Sequence, residues 1–313
     1  MRYKLIDAVS DKFDIRQKDL LEKDIILHEI LSYLCEDKYF SNNFIFKGGT
    51  CLVKTYLGYY RFSEDLDFTW KDQSIFTGKS HGEISKQTSD EAKKLGKIFE
   101  KIAEKYTLEF KDEKNNTEYF QFGGGGKILT MFVWYNSEIE KNRSMIKIQF
   151  NFVESIYYDS ELRELSSIAP EDESLKFVFD DHPYFLKLKF PVYKPEEILC
   201  EKIRAIMTRR GVKARDFLDI FLICKKFGIN LSEIQENSIK KINYSTQMNE
   251  KYRINLKLKL ELLESGELFS WGDEKNLILQ ELDEEKFIPF EKELEIFLKE
   301  SIIPSLNNES TSF

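Results

Sequence analysis

Apolar and polar positions over the first seventy residues order the chain into short, distinct elements. Leu20, Leu21, Ile25, Leu27, Ile30, Leu31 and Leu34 recur at near-helical spacing, which predicts an amphipathic helix over Gln17–Glu36. The apolar run Phe44-Ile45-Phe46 ends at Gly48-Gly49, as a strand entering a tight turn does. Thr50 to Leu57 suits a helix with Thr50 as its cap. Asp65-Leu66-Asp67-Phe68-Thr69-Trp70 then alternates with the period of two that a half-buried strand requires. The predicted unit is strand, glycine turn, helix, strand.

Further on, a Lys/Glu-rich helix is predicted over Glu83–Tyr106. Strands are predicted at Thr107–Phe110, Glu118–Phe122, Lys127–Tyr135, Ser144–Val153 and Phe185–Phe190. Gly123–Gly126 separates two of these. No helix pattern and no Gly-Lys-Ser/Thr follows the four glycines, so they read as a flexible hairpin turn rather than a phosphate cradle. Pro191 and Pro195 mark a change of character, after which helical patterns dominate at Glu196–Arg210, Lys213–Phe227 and onward to Pro289–Glu300. Two domains are expected, 1–192 and a helical 193–313, with the polar tail Asn307–Phe313 disordered.

Composition narrows the class. The 313 residues are 42% hydrophobic and include 26 Phe and 15 Tyr, enough to fill real cores. A net charge of -8 argues against a chain that is basic throughout, so any nucleic-acid contact needs a local basic patch. Cys35, Cys51, Cys200 and Cys224 lack CxxC spacing, and only His28, His81 and His182 accompany them, which disfavours a structural zinc site or a disulfide framework. No segment approaches the roughly 18 to 20 apolar residues that span a bilayer, and the N-terminus lacks a signal-peptide core. The expected location is cytoplasmic, with no membrane partner.

Candidate chemistry concentrates on the first unit. Asp65 and Asp67, one residue apart on a strand, point to the same side and can share a metal ion or an ion pair. Mg²⁺ favours carboxylate and phosphate oxygens, and paired ions about 3.5 to 4 Å apart stabilise both the attacking and the leaving oxygen of a phosphoryl transfer. Gly48-Gly49-Thr50 lets the backbone approach a phosphate closely. Either signal alone is unspecific, since glycine pairs are commonplace and an isolated DxD is often a solvated pair. Their conjunction, with Arg61 and Ser63 just ahead of the acids, favours a metal and nucleotide site.

These residues resemble the nucleotidyltransferases of the AbiEii/AbiGii toxin group, within the DNA polymerase β-like superfamily. FKGGTCLVKTYLGYYRFSEDLDF carries the likeness, and EEILCEKIRAIMTRRGVKARDFLDIF is similar to that family's later Lys and Asp motifs. The resemblance implies an α+β fold, with a mixed-sheet catalytic core and flanking helices followed by a C-terminal helical bundle. It also implies transfer of a nucleotide from an NTP, using Mg²⁺ or alternatively Mn²⁺, to an acceptor such as RNA and in particular tRNA. A cognate antitoxin protein is the expected partner. Asp65, Asp67, Lys202 and Asp216 would be catalytic; Gly48, Gly49, Thr50, Arg61, Ser63 and Lys202 would bind the nucleotide.

Independent reading of the second motif keeps alternatives open. On a helix over Glu196–Arg210, Lys202 is flanked at helical spacing by Ile198, Leu199, Ala205 and Ile206. A lysine on that apolar stripe must snorkel out, pair with an acid or reach a ligand phosphate. Asp216 and Asp219 suit the first turn of a helix for dipole reasons alone; the resemblance promotes Asp216, and less firmly Asp219, to the site. Arg204, Arg209, Arg210, Lys213 and Arg215 form a basic cluster that fits either RNA phosphates or a solvated helix face. The expected site is then a cleft between the two domains.

One position departs from the superfamily pattern. The strand Ile146–Phe150 carries Gln149 where a third carboxylate is expected, and glutamine is no general base. Either Glu154 serves instead, the acceptor deprotonates through metal-bound water, or catalysis is weak. The rival expectation is therefore a nucleotide-binding interaction module with little or no turnover. A phosphotransferase moving a terminal phosphate is a third.

Overall fold

The computed structural model describes residues 2–170, 172–180, 182–266 and 268–310, with side chains described as far as 306. The chain packs as two compact units, one of residues 1–154 with 160–193, the other of 155–159 with 194–313.

The first unit opens with α1 (Arg2–Phe13), α2 (Lys18–Glu36) and α3 (Lys38–Asn43), then β1 (Phe44–Lys47) and the short α4 (Gly48–Leu52), which runs into a π-helical turn at Val53–Leu57. There follow β2 (Asp65–Trp70), α5 (His81–Tyr106), β3 (Phe120–Gly123), β4 (Ile128–Asn136), β5 (Arg143–Asn151), β6 (Glu161–Leu165), α6 (Glu173–Val178) and β7 (Leu188–Val192). The strands make one mixed sheet in the order β3-β4-β5-β2-β1-β7-β6. β2 runs parallel to β5 and β1 parallel to β7; the remaining neighbours are antiparallel.

Period-two alternation divides the sheet into two chemically different faces. In register, Phe46 pairs with Phe68, Phe68 with Phe150, and Phe150 with Leu129, so these side chains share one face. α3 and α5 cover it: Phe40 packs on Phe44, Phe68, Phe150 and Phe190, and Phe99 on Phe150. Leu66, Phe68, Ile148 and Phe150 are fully buried. Burying a side chain of this size contributes about 1.5–3 kcal/mol, and this cluster fixes the register of the sheet. The opposite face therefore receives the alternate residues: Lys47, Asp65, Asp67, Lys147, Gln149 and Asn151.

Several local expectations are corrected. Thr50 does not cap a helix: α4 begins at Gly48 after Lys47, and the Thr50 hydroxyl instead donates to the Asp65 carbonyl. Thr107–Phe110 forms only a single bridge, Glu109 to Trp134, because Thr107 is taken up as the left-handed cap of α5. Of Phe185–Phe190, the first residue closes a 3-10 turn at Pro183–Phe185 and the strand starts at Leu188. α1 and the edge strand β6 were not expected from the pattern; β6 is largely exposed, so its alternation is weak. Gly123–Gly126 is the hairpin turn between β3 and β4, and three of its glycines have positive φ.

The second unit comprises α7 (Pro195–Thr208), α8 (Ala214–Phe227), α9 (Gln235–Met248), α10 (Glu250–Ser265), α11 (Glu284–Phe297) and α12 (Ile303–Ser310). Residues 155–159 are fastened to it by the Tyr157 and Tyr158 amides, which donate to Glu197, and by the Ser155 carbonyl, which accepts from the fully buried Lys241. Of the tail expected to be disordered, residues 307–310 continue α12 in their backbone, and Thr311–Phe313 lie outside the described residues.

Candidate active site

β1 ends at Lys47, opposite Asp67 on β2, and the chain turns there at Gly48 with φ +79°. A Cβ on Gly48 would press into the Asp67 carboxylate and lie 3.1 Å from both its Cβ and Cγ. On Gly49 it would lie 2.5 Å from Arg61 Nη2 and 3.3 Å from Ser63 Oγ. Both glycines are thus demanded by neighbours in the chain itself. The Thr50 hydroxyl donates to the Asp65 carbonyl and lies 2.8 Å from Ser63 Oγ, whose own hydroxyl supplies that second hydrogen bond. Arg61 is 1% exposed, donates to the Phe62 carbonyl and lies over the Tyr60 ring. Thr50 and Arg61 therefore shape the loop from beneath.

Asp65 and Asp67 lie on the same side of β2, with Lys147 and Gln149 as their register partners on β5. The half-buried Asp67 carboxylate has neither a hydrogen bond nor an ion pair among the described residues. A carboxylate so placed is costly unless something meets its charge. Two carboxylates, one of them unpartnered, suit Mg²⁺, which binds through one or two carboxylates and fills its octahedron with waters and substrate phosphates. Among the described residues no cluster of three or more His, Cys, Asp or Glu forms a metal-binding set.

A polar chain lies beside this pair. Lys47, 4% exposed, donates to Glu154 Oε2 at 2.9 Å and packs over the Tyr193 ring. Asn151 Nδ2 donates to the same oxygen at 3.2 Å, and Gln149 Nε2 donates to Asn151 Oδ1 at 3.2 Å. Glu154, the acid named as a substitute base, is thus held by a lysine and an amide. Asn151 lies in no motif, and Lys47, although inside the FKGGT segment, is given no role by that motif; only strand register reveals their part in this chain.

In the second unit, Lys202 Nζ lies 2.7 Å from Asp216 Oδ1 and 2.5 Å from Asp219 Oδ2, and Arg209 lies 3.0 Å from Asp216 Oδ2. All but Arg209 are buried. Burial works to raise the Asp216 carboxyl, but Lys202 and Arg209 outweigh it and hold the group below its ordinary value. Of the outcomes open to Lys202, the structure shows the pairing with acids. Arg204, Arg209 and Arg215 are likewise met by Glu201, Asp216 and Glu274, which reduces the charge of the basic cluster.

The first unit thus sets a DxD strand beside a glycine turn on a mixed sheet, and a helical unit follows. The family model for the nucleotidyl transferase AbiEii toxin, of a type IV toxin–antitoxin system, matches residues 30–296, and the chain belongs to that family. No curated protein matches. Among solved structures, JHP933 from Helicobacter pylori is 16% identical with a TM-score of 0.45, covering 94% of this chain and 96% of its own. A "putative nucleotidyltransferase" from H. pylori is also 16% identical, with a TM-score of 0.43, covering 93% of this chain and 97% of its own.

Proposed function

We propose that this toxin-family chain transfers a nucleotide from an NTP to an acceptor, with Asp65 and Asp67 holding Mg²⁺, or Mn²⁺ in its place. The observation that carries this reading is the Asp67 carboxylate, which has no partner among the described residues and lies against the bare backbone of Gly48. The bound metal would neutralise charge on the triphosphate and on the attacking oxygen. Gly48, Gly49 and Ser63 form the rim that receives the phosphates, while Thr50 and Arg61 position that rim through Asp65 and Ser63. Catalysis then rests on charge neutralisation and in-line positioning. Lys202 and Asp216 are assigned to the same activity by their motif alone. The acceptor is RNA, with tRNA the first to test; a cognate antitoxin is the proposed partner, and the cytoplasm the proposed location.

Incubation with α-labelled NTPs, Mg²⁺ and total RNA tests this. Label should appear on RNA with the wild type and not with Asp67→Asn. Absence of labelling with all four NTPs, from folded protein, refutes transfer to RNA. A γ-label on the acceptor would instead identify a phosphotransferase. Gln149 in register with Asp67 favours a second reading, a nucleotide-binding module without turnover. NTP binding measured by calorimetry that survives Asp67→Asn, with no turnover in the wild type, would support it.

A further inference from the structure

The position that lacks an acid has a chemistry of its own. Gln149 is the direct parallel neighbour of Asp67, on strands about 4.8 Å apart, with both side chains on the polar face of the sheet. Its carboxamide is oriented by a one-way chain. Glu154 carries no hydrogen to donate, so Asn151 must turn its NH₂ toward it, as the 3.2 Å contact shows. The Asn151 oxygen then faces Gln149 and takes a hydrogen from its NH₂. Lys47 anchors the far end with a buried ion pair to Glu154. The polarity set at Glu154 thus passes through two amides and leaves the Gln149 carbonyl oxygen as the free end, accepting no hydrogen bond among the described residues.

We propose that the Gln149 carbonyl oxygen is the third protein ligand of the metal held by Asp65 and Asp67, oriented for that role by Asn151, Glu154 and Lys47. This rests on the metal reading given above. A carboxylate and a carboxamide on adjacent strands can bracket an ion whose ligands sit at about 2.0–2.1 Å, and a neutral oxygen is an acceptable donor to a hard cation. The consequence is electrostatic. With glutamine in place of a third acid the protein ligands carry two negative charges rather than three, so the free protein binds the metal weakly and the triphosphate must supply the rest. Metal loading is thereby coupled to nucleotide binding, and an empty site stays metal-poor.

Paramagnetic resonance of free Mn²⁺ in a titration of the whole chain tests this without turnover, with and without a non-hydrolysable NTP analogue. Gln149→Met keeps the length and removes the oxygen; it should weaken Mn²⁺ binding about tenfold, the lower end of what loss of a ligand-shell interaction costs. Gln149→Glu should tighten binding in the absence of nucleotide and reduce the gain that the analogue brings. Asn151→Leu, which removes the orienting amide at no change in charge, should weaken binding in the same direction as Gln149→Met. Melting temperatures of all variants check that each is folded. If Gln149→Met and Gln149→Glu both bind Mn²⁺ as the wild type does while Asp67→Asn does not, the glutamine ligand is overturned and the DxD site stands. A wild type that binds no Mn²⁺ even with the analogue overturns both.

Discussion

Gly48→Ala tests the close approach on which the candidate site is built. Two costs add at this position. Its φ of +79° is unfavourable for a residue with a Cβ, at roughly 1–2 kcal/mol. The new Cβ also presses into the Asp67 carboxylate, and driving that side chain off its rotamer costs about 0.5–1.5 kcal/mol more. Reduced freedom of the unfolded chain returns about 0.4–1 kcal/mol. The expected net loss is about 0.5–3 kcal/mol, a fall in melting temperature of several degrees near the middle of that range at about 2–4 °C per kcal/mol for a unit of this size. Gly58→Ala supplies the control, because Gly58 has φ +77° and nothing within 4 Å of its added Cβ. It adds a methyl at positive φ without touching Asp67, its ψ of -173° giving it a backbone cost of its own. Thermal melts and Mn²⁺ titrations of both variants separate the two effects. Gly48→Ala should alone lose metal affinity, by about tenfold or more, because only it displaces the Asp67 carboxylate. Mn²⁺ affinity intact in Gly48→Ala would refute the close approach and with it the placing of Asp67.

Other consequences follow from the buried charges. Lys202→Met removes the buried cation shared by Asp216 and Asp219, leaving Arg209 beside Asp216, and should destabilise the helical unit by about 3–5 kcal/mol, as read by urea denaturation; a loss below 1 kcal/mol would show that the pair is structurally idle. Because the folded Asp216 carboxyl titrates below its ordinary 3.8, its stabilisation is present above that value and lost as pH falls through the depressed one. The stability difference between wild type and Asp216→Asn should therefore hold at neutral pH and shrink below about pH 4; a difference that grows on acidification contradicts the ion pair. Lys54 is fully buried against Asp24, which also accepts from Tyr59 and Tyr184 at 2.9 and 2.7 Å. Lys54→Met should cost about 3–5 kcal/mol, and Asp24→Asn in the same chain should recover part of it; strictly additive losses would show the two are uncoupled.

Sequence periodicity alone determined the strand–glycine turn–helix–strand unit, the helices at α2, α5, α7 and α8, and the pairing of Asp65 with Asp67 on one side of a strand. Those features depend on spacing within a few residues, which the pattern records directly. Leu66 in the core follows from the same alternation. The departure at Gln149 was also legible, since it is a matter of residue type. Strand order was not, because β2 pairs with β5 across some eighty residues and periodicity carries no information about partners. Nor was the polar chain from Lys47 through Glu154 and Asn151 to Gln149, three of whose members become neighbours of the DxD strand only through register. The two glycines changed meaning on folding: the sequence suggested room for a phosphate, and the structure shows that Asp67 and Arg61 already occupy the space a Cβ would need. Lys202 was recognisable as an inward-facing cation, but its partners Asp216 and Asp219 lie on the next helix, and only packing two helices together decides which acid meets which base.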